Sequence, residues 1–139
     1  MSRLPTHLEL NEGAALQAFA ASLYQLANST VVGVWLFGSK ARGDFEVDSD
    51  LDLLIVLAEA DWTIRDRIHL LAARVSLEYD VLINTHFLSD AAWARMARQH
   101  AALWQQVRHD GVPLSLNASS VARPSSLPES AKQPIRPSA

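Results

Sequence analysis

The 139-residue chain contains no cysteine. That excludes a disulfide framework, a thiolate zinc site and a cysteine nucleophile, and it suits a reducing cytoplasm. Long apolar runs are missing too. No stretch approaches the roughly 20 apolar residues needed to span a bilayer, and the opening, Met1 to Gly13, lacks the apolar stretch of a secretion signal. The five histidines show no ligand spacing typical of zinc sites. His7, His69, His100 and His109 read as surface or packing residues. Neither a Gly-x-Ser-x-Gly nucleophile turn nor a Walker A loop occurs. Positive charge is not in excess: 12 Lys and Arg against 15 Asp and Glu give a net charge of −3. The chain therefore carries no general electrostatic footprint for nucleic acid, and any such contact must be local. There is no internal repeat.

What is present is a core. Apolar residues make up 49% of the chain, enough for one domain if the end of the chain is left out. The domain is expected over residues 1–116. From Asn117 the composition turns to Ser, Pro and Ala with scattered charge, so residues 117–139 are expected to form a disordered tail. A helical stripe of Leu16, Phe19, Ala20, Leu23, Leu26 and Ala27 predicts a helix from about Asn11, its candidate N-cap, to Ala27. Val31 to Phe37 reads as a buried strand. Ile64, Ile68, Leu71, Val75 and Tyr79 predict a second helix, opened by Thr63 and Asp66, with Arg65, Arg67 and Arg74 on its solvated face. Asp80 to Asn84 reads as a further strand, after which His86 could lie near a site. Ser89 is a plausible N-cap for a helical pattern, one helix or two, that carries Trp93 and Trp104 in its core-facing part. That pattern ends at Gly111 and Pro113.

The chemistry concentrates between Val31 and Val56. Asp50 and Asp52 open an apolar run, Leu53 to Val56, of the kind found in strands buried on both faces. Residues two apart in a strand share a face, so the two carboxylates project side by side and Leu51, Leu53 and Ile55 point the other way. Two like charges at the mouth of such a strand repel, and a bound cation relieves the repulsion. Mg²⁺ takes one or two carboxylates together with substrate phosphates and water. Upstream, the first strand ends at Gly38-Ser39. Gly38 allows a sharp turn and a close ligand approach. Ser39 can open a short helical turn through Lys40-Ala41-Arg42, whose N–H groups and cations favour an anion.

Gly38-Ser39, the stretch Ala41-Arg42-Gly43-Asp44, and Ser49-Asp50-Leu51-Asp52-Leu53 together resemble the signature of the DNA polymerase β-type nucleotidyltransferase superfamily. The resemblance is to its minimal nucleotidyltransferases, many of them antitoxins paired with HEPN-domain toxins, and it runs from Val31 to about Leu114. It implies an α/β (α+β) fold, a small mixed sheet with flanking helices. It also implies transfer of a nucleoside monophosphate from a triphosphate to a hydroxyl, with two Mg²⁺ ions about 3.5–4 Å apart clamping an in-line displacement. Asp50, Asp52 and a third acidic residue on a neighbouring strand would hold the ions, and Asp80 sits where that third residue is expected. Gly38, Ser39 and Arg42 would hold the nucleotide's phosphates. The implied reaction is AMP transfer from ATP to a hydroxyl of a cognate HEPN toxin. Two other readings stand beside it: a small-molecule transferase of the aminoglycoside-modifying kind, and an antitoxin that acts by binding alone.

Overall fold

The computed structural model describes residues 4–5, 7–43, 50–59 and 61–116. Residues 117–139, expected as a tail, lie outside them, as do Asp44 and Ser49 of the motif. The described elements are, in chain order, α1 (Leu10–Ala27), β1 (Val31–Phe37), α2 (Ser39–Arg42), β2 (Leu51–Leu57), α3 (Trp62–Tyr79), β3 (Ile83–Ser89), α4 (Asp90–Gln99), α5 (Ala102–Asp110) and β4 (Val112–Pro113). They form an α+β fold around one four-stranded mixed sheet of order β3-β2-β1-β4. β1 pairs antiparallel with β2 and β4, while β3 runs parallel to β2. The parallel pair requires a crossover, and α3 supplies it. Among the described residues, no helix is long and apolar enough to cross a membrane.

The apolar run of β2 is buried on both faces, as its sequence predicts. Leu51, Leu53, Ile55 and Leu57 join Leu16, Phe19 and Leu23 of α1 and Ile68, Leu71 and Val75 of α3 in the larger core. Leu54 and Val56 point the other way, into a second cluster with Phe37 and Val107 that Trp35, Trp93 and Leu103 flank. Each fully buried Leu, Ile or Val contributes roughly 1.5–3 kcal/mol relative to exposure. Trp93 lies against Trp35 with ring centroids 5.5 Å apart. The indole of Trp35 folds back over Gly33, where a Cβ would meet it at 2.5 Å. Trp104, by contrast, stacks on His100 at 5.2 Å and under the Arg108 guanidinium at 5.1 Å.

Local chemistry moves several expected boundaries. Glu9, not Asn11, caps α1, in a reciprocal capping box with Glu12. Asn11 instead donates its side-chain amide to the Tyr79 carbonyl at 3.0 Å and ties the start of α1 to the end of α3. Asp61 caps α3, accepting the Thr63 and Ile64 amides at 3.0 and 3.2 Å. Arg65 is half-buried with its guanidinium over the Trp62 and Phe87 rings, while Arg67 and Arg74 are exposed. The helical pattern after Ser89 is two helices, because His100 adopts a left-handed conformation that ends α4. β3 starts at Ile83, not at Asp80. Asp80 is the left-handed C-cap of α3, and its N–H donates to the Ser76 carbonyl. The Val81 amide returns to that same carbonyl at 3.0 Å, and the Ser76 hydroxyl accepts the Ile83 N–H at 3.0 Å. The chain is therefore still closing the helix when it passes Asp80.

One buried ion pair anchors the turn after β1. Lys40 Nζ lies 2.5 Å from Glu12 Oε2, with only 1% and 9% of the two side chains exposed. His7 Nε2 donates to the Lys40 carbonyl from the same side. Lys40 thus fastens α2 to α1 from within. Removing one partner of such a pair leaves a buried charge uncompensated, which costs about 3–5 kcal/mol. Lys40→Met is expected to lose that much stability in urea unfolding, and Glu12→Leu combined with Lys40→Met to recover most of it.

Candidate functional site

The β1/β2 register pairs Phe37 with Asp52. The residue after Phe37 is Gly38, so the turn that leaves β1 passes directly against the Asp52 carboxylate. Gly38 has φ +80°, and a Cβ there would lie 2.7 Å from Asp52 Oδ2. Both the left-handed backbone and the carboxylate demand glycine. The Gly38 carbonyl then accepts the Ala41 and Arg42 amides at 3.1 and 3.2 Å, and the Gly43 amide donates to the Ser39 carbonyl at 2.8 Å. One closed turn of helix results, with Ser39 half-buried and Arg42 exposed. Lys40, the other cation of this turn, is turned into the protein toward Glu12.

On the far side of Asp52 the parallel register places Asn84. Asn84 Nδ2 donates to Asp52 Oδ1 at 3.1 Å. His86, two residues on and therefore on the same face, brings Nε2 to 3.5 Å from that oxygen and to 3.4 Å from Asn84 Nδ2. Phe37 supports the imidazole edge-on at 5.3 Å. Asp52 is thus committed on two sides, Oδ1 toward Asn84 and His86 and Oδ2 toward the glycine turn. Asp50 immediately precedes β2 and is half-buried; strand alternation carries it to the same face.

The structure brings Gly38 and Asp52 into contact and sets Ser39 and Asp50 next to them in the chain. Asp80 is exposed at the end of α3. There it lines a groove of about 470 Å³ between α3 and β3, together with Leu77, Leu82, Asn84 and Thr85. The position beside Asp52 on the neighbouring strand belongs to Asn84. Asn84 and His86 are the site-facing residues that sequence reasoning did not single out as a pair. Their signal was the period-two alternation Asn84-x-His86, legible only once β3 is known to start at Ile83.

Comparison with known proteins identifies the family. The family model described as the nucleotidyltransferase domain matches residues 17–95, more than half of the chain. Putative protein adenylyltransferase MJ0141 of Methanocaldococcus jannaschii is 37% identical over 71 residues, covering 50% of this chain and 71% of that protein. Putative protein adenylyltransferase MJ0604 of the same organism is 36% identical over 75 residues, covering 54% of this chain and 71% of that protein. A solved structure described as a putative minimal nucleotidyltransferase is 29% identical, with 79% of this chain and 100% of that one covered and a TM-score of 0.48. The match over most of the sheet and its first three helices, together with a glycine turn held against a strand-borne aspartate, places the chain: it belongs to the nucleotidyltransferase domain family.

Proposed function

We propose that the chain transfers AMP from ATP to a hydroxyl of a partner protein, with Mg²⁺ held at Asp50 and Asp52, and that the partner is a HEPN-domain toxin. One observation carries the reading: Asp52 Oδ2 lies against the Gly38 turn, 2.7 Å from where a Cβ would stand. A carboxylate and a backbone with no side chain in the way meet at one point, as binding a metal–phosphate group requires. The donor set fits the ion, since hard carboxylate oxygens are what Mg²⁺ takes from proteins. The naming of the M. jannaschii relatives supports a protein acceptor. The toxin partner follows from the motif's resemblance to minimal nucleotidyltransferase antitoxins.

Bound there, Mg²⁺ would supply positive charge to the triphosphate. The chain's own residues do the positioning. Gly38 leaves the turn open to the phosphates, with Ser39 and Arg42 following on the same turn. Asn84 fixes the Asp52 carboxylate from behind. The acceptor oxygen attacks the α-phosphorus in line, its bond to phosphorus forming as the α–β phosphoanhydride bond breaks. Pyrophosphate leaves and the hydroxyl proton is released. Attack requires the acceptor oxygen about 3–3.5 Å from phosphorus, so the acceptor enters over the sheet face that carries Asp50, Asp52 and Asn84. AMP on a toxin adds a phosphate that repels the RNA backbone, which gives transfer a means of silencing it.

Two substitutions test the reading. Asp52→Asn is expected to lower transfer roughly a thousandfold or more while the chain stays folded. Mass spectrometry of co-expressed toxin should find added AMP that disappears with this variant. A toxin neutralised without modification would point to binding alone, and labelling of an aminoglycoside to a small-molecule enzyme. Gly38→Ala forces an alanine into a backbone region that essentially only glycine adopts, a strain of about 1–3 kcal/mol, and pushes on Asp52. Nucleotide affinity measured by calorimetry should fall at least about tenfold, with circular dichroism unchanged.

A further inference from the structure

We infer that Asn84 limits this site to a single divalent cation, one that arrives with the nucleotide. The inference rests on the nucleotidyl-transfer reading and narrows it. The resemblance alone implies two ions and three carboxylates, with the third on the strand beside Asp52. The register fills that place with Asn84. Its amide N–H is directed at Asp52 Oδ1 over 3.1 Å, and His86 Nε2 stands 3.5 Å from the same oxygen. A second cation on this side would have to displace a donor and would find a neutral amide where it needs an anion. Oδ2 is differently placed. It lies against the Gly38 turn, on the side where the phosphates are expected.

The charge count points the same way. Among the described residues, two carboxylates, Asp50 and Asp52, stand at the site and balance one Mg²⁺, and the nucleotide's phosphates supply its other ligands. Two adjacent divalent ions against the same pair would leave a repulsion that nothing on β3 offsets. Among the described residues, no three Asp, Glu, His or Cys side chains gather into a group that could hold a metal ion. Asp80 does not stand on β3 beside Asp52: it ends α3, and β3 begins at Ile83, where the register sets Asn84 opposite Asp52. Metal binding is therefore weak in the absence of nucleotide and strong in its presence.

The experiment counts Mn²⁺ on the full chain by equilibrium dialysis and electron paramagnetic resonance, with and without a non-hydrolysable ATP analogue. The expected result is no stoichiometric Mn²⁺ alone and one Mn²⁺ per chain with the analogue. Asn84→Asp should admit a second Mn²⁺ and tighten binding of the metal alone by roughly tenfold or more, since ligand charge sets affinity. Asn84→Ser, which removes the amide without adding charge, should stay at one. Asn84 is exposed, so both variants are expected to fold, and circular dichroism checks this. Two Mn²⁺ on the unaltered chain with the analogue, whichever residues hold them, would overturn the inference and leave the transfer reading standing. A count that stays at one in Asn84→Asp would also overturn it. Failure to bind the analogue at all would overturn both.

Discussion

Everything at the site depends on the pairing that sets Phe37 opposite Asp52. In a sheet, a slip of one residue sends every side chain to the other face. One step of slip would turn Asp52 under α1 and α3, among side chains that are fully buried, where an unpaired carboxylate is strongly unfavourable. The core therefore enforces the register. Leu51, Leu53 and Ile55 belong on the helix-covered face, and Leu54 and Val56 belong against Phe37 and Val107. Hydrophobic burial, not any contact of the carboxylate itself, fixes Asp52 to the open part of its face. The site is a by-product of the pattern that folds the sheet.

The same logic explains the division of labour in the helical turn after Gly38. Lys40 and Arg42 lie two positions apart in one turn of helix and point in different directions. Lys40 enters the core to meet Glu12, and Arg42 stays exposed. The buried pair contributes little net stability by itself, but breaking it would be costly, so it resists any tilting of α2. Since Gly38 leads straight into α2, that resistance reaches the backbone facing Asp52. Stability and site geometry are linked through a lysine buried against Glu12.

How far the sequence reveals this differs from residue to residue. Continuous apolar runs made β1 and β2 legible, and strand alternation made the sharing of a face by Asp50 and Asp52 legible, because both are local properties. The helical stripes of α1 and α3 were legible for the same reason. The role of Lys40 was not, because Glu12 lies 28 residues away and only the packing of α1 on α2 brings them together. The start of β3 was misplaced by three residues. An Asp before Val-Leu-Ile fits both a strand opening and a left-handed helix stop, and the stop won because Ser76 holds the next residues with its carbonyl and hydroxyl. That small displacement decides which side chain meets Asp52, since strand register is non-local and no spacing rule reports it.

Asn84 also explains how the Asp52 carboxylate is held. A carboxylate at its position would face Asp52 directly across two strands, a like-charge arrangement that destabilises a sheet. An asparagine reverses the sign of the interaction, since its amide donates to Asp52 Oδ1 at 3.1 Å. The Asp52 side chain, 27% exposed, is then oriented by the protein and hydrated on its free side. Its second oxygen needs no cation to hold it toward the glycine turn. A neutral partner therefore preorganises the carboxylate, and the geometry at Gly38 follows from the fold alone.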